Sequence, residues 1–242
     1  MGSMKLDSGT CDIVLLAWAR LLGFEDTAFM ADAGRLTRIN NDAGKLTFVR
    51  LFGRSALVGP EWAIEAAAAC TDDELAEHRT LLQLSHGYGG NGAGKAQLFF
   101  ADDLPLVQPD EEITVSTITD DAVRLEALCP PDDVNEVGLS GMDKSFVLLS
   151  GADPVAGAGY QEWQQILGHI GALTLPRFRQ RGIGSLVAAI AGHEALTAGL
   201  IPQWRAHEAN AASRATALSL GFVEAGTQTS VYLPAPQEGH SD

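Results

Sequence analysis

Residues 176–184 read Pro-Arg-Phe-Arg-Gln-Arg-Gly-Ile-Gly and lie between an apolar run, Ile170 to Leu175, and an alanine-rich segment. This order predicts a strand, a turn and a helix that opens on glycines. The first amides of a helix have no partner within the helix, and the helix dipole adds partial positive charge there. Glycine also lets a ligand approach the backbone closely. Because three arginines fall within this turn of an otherwise acidic chain, we expect a phosphate or diphosphate site.

Two nucleotide-binding motifs compete for this interpretation. A dinucleotide fold needs G-x-G-x-x-G, but Val187 stands where the third glycine should be. The stretch Gly89 to Lys95 fits the G-x-x-x-x-G-K core of a P-loop, but Ala96 replaces the Ser or Thr that binds magnesium. A P-loop also follows a strand, whereas residues 74–84 have a helical pattern. We therefore interpret residues 89–95 as a glycine-rich connection between elements.

A third motif fits the stretch. Residues 179–184 match the pattern Arg/Gln-x-x-Gly-x-Gly/Ala, and Asn210, Ser213 and Leu220-Gly221-Phe222 follow in order. On these residues the chain resembles the GCN5-related N-acetyltransferases (GNAT), of the two-unit bacterial type with a C-terminal GNAT domain. The resemblance covers about residues 111–234. It implies an α/β (α+β) fold in which helices flank a mixed, mostly antiparallel sheet.

Composition limits the classes of function. The formal net charge of −15 disfavours nucleic acid, whose binding needs a basic surface. The acidity favours a cationic acceptor such as an amine, or it serves only solubility. No apolar run reaches the ~20 residues of a membrane span, and we see no targeting segment, so we expect a cytoplasmic protein. The three cysteines are far apart and have no clustered histidines, which predicts reduced thiols and no metal site.

The chain divides by composition near a Pro- and acid-rich stretch at residues 104–112. We predict an N-terminal α/β domain of unknown role over residues 1–108, which could be a degenerate relative of the GNAT domain. Residues 109–234 would form the GNAT acetyltransferase domain, and residues 235–242 a tail. In the first domain, the Thr71 to Glu74 capping box predicts a helix that continues to about Ser85.

The resemblance implies acetyl-CoA as co-substrate and an amine as acceptor, with no metal. Loop amides would hold the diphosphate, and the preceding strand would pair with the pantetheine and polarise the thioester carbonyl. Asn210 would hydrogen-bond the pantetheine arm with help from Ser213. The implied binding residues are Leu173, Thr174, Leu175, Arg179, Gln180, Arg181, Gly182, Ile183, Gly184, Ser185, Asn210 and Ser213.

The proton-transfer groups are less well defined. The tyrosine that the family often uses as the acid is replaced by Ala217, and Tyr232 is a substitute candidate. The position at which family members often carry a glutamate base is Gly168, which leaves His169, Glu162 or a water relay as candidates. Strand alternation puts His169 on the face opposite to Gly168 unless a bulge intervenes.

Two functions remain open at this point. One is an N-acetyltransferase in which a small-molecule or peptide amine attacks acetyl-CoA directly. The other is a non-catalytic CoA-binding or regulatory module, which the missing tyrosine would suit. We expect the acceptor pocket to involve a loop at Pro130 to Met142 and the strand around Tyr160 to Trp163. A homodimer is one assembly compatible with this organisation.

Overall fold

The computed structural model describes residues 5–31, 34–107 and 114–234. The predicted tail at 235–242 and residues 108–112 of the predicted linker lie outside these ranges. The helices are α1 (Ser8–Leu22), α2 (Glu61–Ala66), α3 (Asp72–Leu75), α4 (His78–Ser85), α5 (Thr119–Leu128), α6 (Pro131–Val137), α7 (Ile183–Thr197) and α8 (Ala211–Ser219). The strands are β1 (Leu36–Ile39), β2 (Lys45–Leu51), β3 (Arg54–Gly59), β4 (Asn91–Phe100), β5 (Thr114–Ser116), β6 (Lys144–Ser150), β7 (Asp153–Trp163), β8 (Leu167–Thr174), β9 (Ile201–His207) and β10 (Val223–Tyr232).

The chain forms two compact units that are not consecutive in sequence. Of the described residues, unit 1 contains 5–14, 99–107, 114–205 and 212–223, and unit 2 contains 15–31, 34–98, 206–211 and 224–234. This division differs from the predicted boundary at residue 108, because β10 pairs with β2 in antiparallel register from Gly226↔Leu51 to Tyr232↔Lys45. A strand pairing over such a distance leaves no mark on local composition.

Unit 1 carries the strands in the order β9-β8-β7-β6-β5. All neighbours in this set are antiparallel except β8 and β9, which are parallel and are connected through α7. Helix α5 covers one face, where Leu125 approaches Gly157, and α7 covers the other, where Ala195 approaches Gly168. A mixed, mostly antiparallel sheet flanked by helices was predicted, and this fold class is confirmed.

Helix α6 corrects the prediction of a loop at residues 130–142. The helix begins with Pro131, and Gly138 ends it in a left-handed conformation with φ of 60°. Proline suits the first helical position because its φ is already helical and its missing N–H is not needed there. Asp132 and Asp133 in the first turn favour the positive end of the helix dipole. The two prolines therefore start a helix as well as ending the one before it.

Unit 2 carries strands in the order β1-β3-β2-β10-β4. The predicted capping box is confirmed, since the Glu74 amide donates to the Thr71 hydroxyl at 3.3 Å and the Thr71 amide donates to the Glu74 carboxylate at 2.7 Å. The helix predicted to continue to Ser85 is instead two helices, α3 and α4. Their apolar faces pack on β2 and β3 in a core that includes Leu46, Phe48, Leu57, Leu75 and Leu81.

The glycine-rich stretch at 89–95 was predicted to be a connection, and this is wrong for most of it. Strand β4 already begins at Asn91. Gly92, Ala93 and Gly94 have positive φ values of 57°, 60° and 121°, so this part of the strand is irregular. Glycine is needed at position 94, because a Cβ there would lie 2.5 Å from the His207 ring. Among the described residues, no helix has the length and apolar character needed to cross a membrane.

Candidate functional site

The candidate site begins where β8 and β9 separate. The two strands pair in parallel from Leu167↔Ile201 to Ile170↔Trp204. Beyond that point β8 continues to Thr174 and stays paired with β7. The last residue pair between β7 and β8 is Ala156↔Thr174. Within the described residues, the β8–β9 pairing ends at Ile170, which leaves the β9-facing edge of the next four β8 residues open.

Alternation along β8 identifies the backbone groups at this open edge. The Leu175 amide donates to the Val155 carbonyl at 3.1 Å, so it points towards β7. In an antiparallel pair the backbone groups of successive residues point to opposite sides. The N–H and C=O groups of Ala172 and Thr174 therefore face the opening. The Leu175 amide is therefore not available for pantetheine, which corrects its predicted role. By the same alternation, the backbone N–H and C=O groups of Leu173 point towards β7.

The loop places the start of α7 beside the end of β8. Gly182 stands just before the helix with φ of 77°, and the Leu186 amide closes the first turn by donating to the Gly182 carbonyl at 3.0 Å. The amides of Ile183, Gly184 and Ser185 precede this bond and have no partner within the helix. A Cβ on Gly184 would lie 2.7 Å from the Thr174 hydroxyl, so glycine permits this close approach.

The three arginines of the loop have different surroundings. Arg177 and Arg181 lie over the Phe178 ring, with guanidinium carbons 5.1 and 5.5 Å from its centroid. Arg179 donates from Nε to the Thr174 carbonyl at 3.1 Å and from Nη2 to the Asp133 carboxylate. Gln180 has φ of 61°, an uncommon conformation for a residue with a side chain. The loop is therefore an exposed, positively charged turn next to three amides of a helix start.

His169 lies on β8 just before the strands separate. Its ring stacks on Trp163 with centroids 4.4 Å apart, and Nδ1 lies 3.4 Å from the Gln203 amide nitrogen. Burial of the ring, and secondarily the positive charge of Arg205, lower the pKa of His169 to about 3. The histidine is thus neutral at neutral pH, but it is too weak a base to hold a proton taken from an ammonium group.

Glu162 occupies the other face of the strands. The β7–β8 register has no shift, and it pairs Glu162 with Gly168 and Gln161 with His169. Paired residues share a face, so Glu162 and His169 point to opposite sides. Glu162 is exposed, and its backbone amide donates to Asp143 at 2.7 Å. The structure does not bring the two predicted base candidates together.

Ser213 connects α8 to β9. The Trp204 indole N–H donates to the Ser213 hydroxyl at 2.9 Å. The Trp204 ring packs edge-on against Phe222, with ring centroids 5.9 Å apart. Gly221 ends the helix region with φ of 96°, which turns the chain so that Phe222 can return to Trp204. The predicted Leu-Gly-Phe segment thus has a structural explanation. Ala217, at the position of the family tyrosine, is fully buried in α8.

Asn210 and Tyr232 belong to unit 2. The Asn210 amide donates to the His207 carbonyl at 2.8 Å, in the turn that follows β9. Tyr232 is 46% exposed at the end of β10, and the Lys45 ammonium lies 4.9 Å from its ring centroid. Their predicted roles in CoA binding and proton transfer remain predictions.

Sequence reasoning missed three features of this site. Ala172 offers open-edge backbone groups, which only the register reveals. Asp133 holds Arg179 from a helix that was predicted to be a loop. Gln203 is completely buried beside His169, a contact that depends on the pairing of β8 with β9. No group of three or more potential metal-ligating side chains is found among the described residues.

Comparisons with known proteins show similarity of fold. No protein-family model matches the chain, and no curated protein matches it. A GCN5-related N-acetyltransferase from Kribbella flavida matches at 17% identity and a TM-score of 0.49, over 66% of this chain and 65% of that one. A Drosophila protein matches at 16% identity and a TM-score of 0.50, over 64% and 57%. An aminoglycoside N-acetyltransferase solved in complex with CoA matches at 19% identity and a TM-score of 0.35, over 50% and 93%.

The chain therefore spans about two thirds or less of the length of the Kribbella and Drosophila proteins. At these identities the likeness concerns the fold and not the activity. The fold is GNAT-like, with the parallel β8–β9 pair and α7 between them, and the predicted resemblance is confirmed at this level.

Proposed function

We propose that the protein is an acetyl-CoA-dependent N-acetyltransferase. The observation that carries the proposal is the open edge of β8, from Gly171 to Thr174, which leads directly to the helix start at Ile183. A strand edge offers hydrogen bonds to an extended amide chain, and a helix start offers amides and positive potential to an anion. Pantetheine followed by a diphosphate has these two properties in this order.

The residues present fit such a ligand. The amides of Ile183, Gly184 and Ser185 would hold the diphosphate, with Arg177 and Arg181 adding positive charge. The missing Cβ of Gly184 keeps this helix start against Thr174. The N–H and C=O groups of Ala172 and the N–H of Thr174 would pair with the pantetheine amides, while the Thr174 carbonyl stays bonded to Arg179. Acetyl-CoA itself supplies an acetyl group activated as a thioester.

The acceptor would lie on the face of β8 that carries His169. Gly159 and Gly171 are opposite each other on this face, and side chains of Met142 and Val137 cover them. Trp163 and Gln203 flank His169 at the end where the strands are still paired. Their positions would orient an amine towards a thioester at the opening, and orientation is a large part of catalysis between two bound substrates.

Proton transfer would rely on water more than on a protein base. Because the pKa of His169 is lowered to about 3, this histidine does not compete for the amine's proton at neutral pH. The amine would react as its free base, and a backbone N–H at the open edge would stabilise the oxyanion. His169 would then be a neutral contact of the acceptor.

A non-catalytic CoA-binding module is the second candidate function. The buried Ala217 favours it, because no hydroxyl is available at the position where the family often has its acid. Thiolates leave without strong acid assistance, so this loss would slow the transfer and not prevent it. We therefore rank the enzyme first.

One experiment separates the two functions. Calorimetry with acetyl-CoA measures binding, and release of free thiol over a panel of primary amines measures transfer above hydrolysis. The enzyme requires both signals. Binding without amine-dependent thiol release would support the module, and absence of binding would contradict both.

A further inference from the structure

Arg179 joins three parts of unit 1. Its Nε donates to the carbonyl of Thr174, the last residue of β8, at 3.1 Å. Its Nη2 donates to the carboxylate of Asp133 in the first turn of α6. One guanidinium thus connects the strand end, the anion-binding loop and a helix that is distant in sequence.

The Asp133–Arg179 ion pair is exposed, so Arg179 could exchange Asp133 for another anion. The side chains of Arg179 and Asp133 are 46% and 36% exposed. Exposed pairs of this kind contribute little to stability, because water competes with both partners. A diphosphate offers the guanidinium a doubly charged, bidentate partner. It would therefore compete well against a single exposed carboxylate.

We propose that Asp133 competes with the CoA diphosphate for Arg179 and thereby lowers the affinity of the site for CoA. The inference rests on the proposed CoA site and adds a residue that tunes it. In the free protein Asp133 holds the guanidinium; in the complex the diphosphate takes it over, while Nε keeps its bond to the strand end.

The exchange also has a consequence for the acceptor side. Helix α6 covers the open part of β8, since Val137 would lie 3.0 Å from a Cβ placed on Gly171. The pair with Arg179 is a tether between this helix and the loop. Arrival of the diphosphate would remove this ion pair, so α6 would lose one contact with the loop when CoA binds.

The test uses Asp133→Asn and a matched control, Asp132→Asn. The control removes the same charge one position away, from an exposed side chain of the same turn. Calorimetry measures the affinity for CoA and for pantetheine, which lacks the diphosphate. We expect Asp133→Asn to bind CoA about three- to fivefold more tightly, the upper size expected for loss of one exposed competing ion pair, and Asp132→Asn to stay within about twofold. Pantetheine should bind all three proteins alike.

A double-mutant cycle completes the design. In an Arg179→Gln background, Asp133→Asn should no longer tighten CoA binding, because the group for which it competes is gone. The inference is overturned if Asp133→Asn matches Asp132→Asn, if it weakens CoA binding, or if it changes CoA and pantetheine equally. These outcomes leave the proposed function intact. Failure of the unsubstituted protein to bind CoA overturns the proposed function and this inference together.

Discussion

Residues 176–184 of unit 1 and residues 89–95 of unit 2 are both rich in glycine and both contain basic side chains, but their backbones differ. The first stretch ends at the start of α7, where three amides precede the first helical hydrogen bond. The second lies mostly within β4, and the carbonyl of Lys95 accepts the Glu208 amide at 2.9 Å.

The basic side chains differ in the same way. Lys95 is 17% exposed and pairs with Glu77 at 2.9 Å and with Glu208 at 3.8 Å. Arg177 and Arg181 are exposed, and both guanidinium groups lie over the Phe178 ring. Glycine content and positive charge are therefore not sufficient for an anion site. The element that follows the glycines decides whether backbone amides are available.

The largest expected effect comes from Gly182→Val. Gly182 and Gly53 have φ of 77° and 78°, and a Cβ at either would meet no atom within 4 Å, so Gly53→Val is a matched control. Both substitutions should lower stability by about 1–2 kcal/mol, since a branched residue is strained at positive φ. Only Gly182→Val should also weaken CoA binding, by about tenfold or more, because the strained backbone would move the loop away from the first amides of α7. Equal affinities of the two variants in calorimetry would contradict the assignment of the loop.

A smaller effect is expected from charge. Arg181→Gln should weaken CoA binding by about three- to tenfold through loss of one phosphate-facing charge, and added salt should reduce the difference. Lys95→Gln makes the same change in unit 2 and should leave affinity within about twofold. Comparable losses in the two variants at low and high salt would mean that overall charge, and not the loop, determines binding.

Ser213→Ala compares a hydrogen bond in unit 1 with one in unit 2. The Ser213 hydroxyl accepts from Trp204 at 2.9 Å, and the Thr229 hydroxyl donates to the Ala76 carbonyl at 2.8 Å. Ser213→Ala and Thr229→Val should each cost about 1 kcal/mol in denaturant unfolding. Neither should change CoA affinity. A selective loss of CoA affinity in Ser213→Ala would instead support the cofactor-binding role predicted from sequence.

The smallest expected effect concerns the pH profile. Because the pKa of His169 is lowered to about 3, we expect this residue to stay neutral throughout the neutral and alkaline range. The rate of transfer should rise with the free-base fraction of the amine, without a separate break near the ordinary histidine pKa of about 6.5. His169→Gln should keep this shape even if the rate falls. A limb in that region that disappears in His169→Gln would identify the histidine as the base.

Stability provides a second check on the same residue. Between the ordinary histidine pKa of about 6.5 and the folded-state pKa of about 3, the unfolded chain binds a proton at His169 that the folded protein does not bind. Stability should therefore fall as the pH is lowered through this window. Denaturant unfolding of His169→Gln should show a weaker dependence on pH there.

The sequence predicted local features of the fold and site better than distant ones. Helix α5 ends at Leu128, shortly before two prolines, which is a local signal in the sequence. The strand, turn and helix predicted around residues 176–184 are observed, because their signal is local. Helix α6 was missed, because residues 130–142 were predicted to be a loop although Pro131 begins a helix.

Contacts between residues distant in sequence, above all strand pairing, were the main source of error in the predicted domains and site. The partner of β10 is β2, and this placed the C-terminal strand in unit 2. The open amide at Ala172 and the engaged amide at Leu175 follow from the β7–β8 register, which no local pattern reveals. Asp133 was overlooked because its partner, Arg179, is 46 positions away in the sequence.

Amide-resolved NMR during titration with CoA tests most directly whether the start of α7 holds the diphosphate. We predict the largest shifts at the N–H groups of Ile183, Gly184 and Ser185, with further shifts at Ala172 and Thr174 and none at Gly89 to Lys95. Unchanged amides at 183–185 in the presence of saturating CoA, or the largest shifts in the glycine stretch of unit 2, would contradict this assignment.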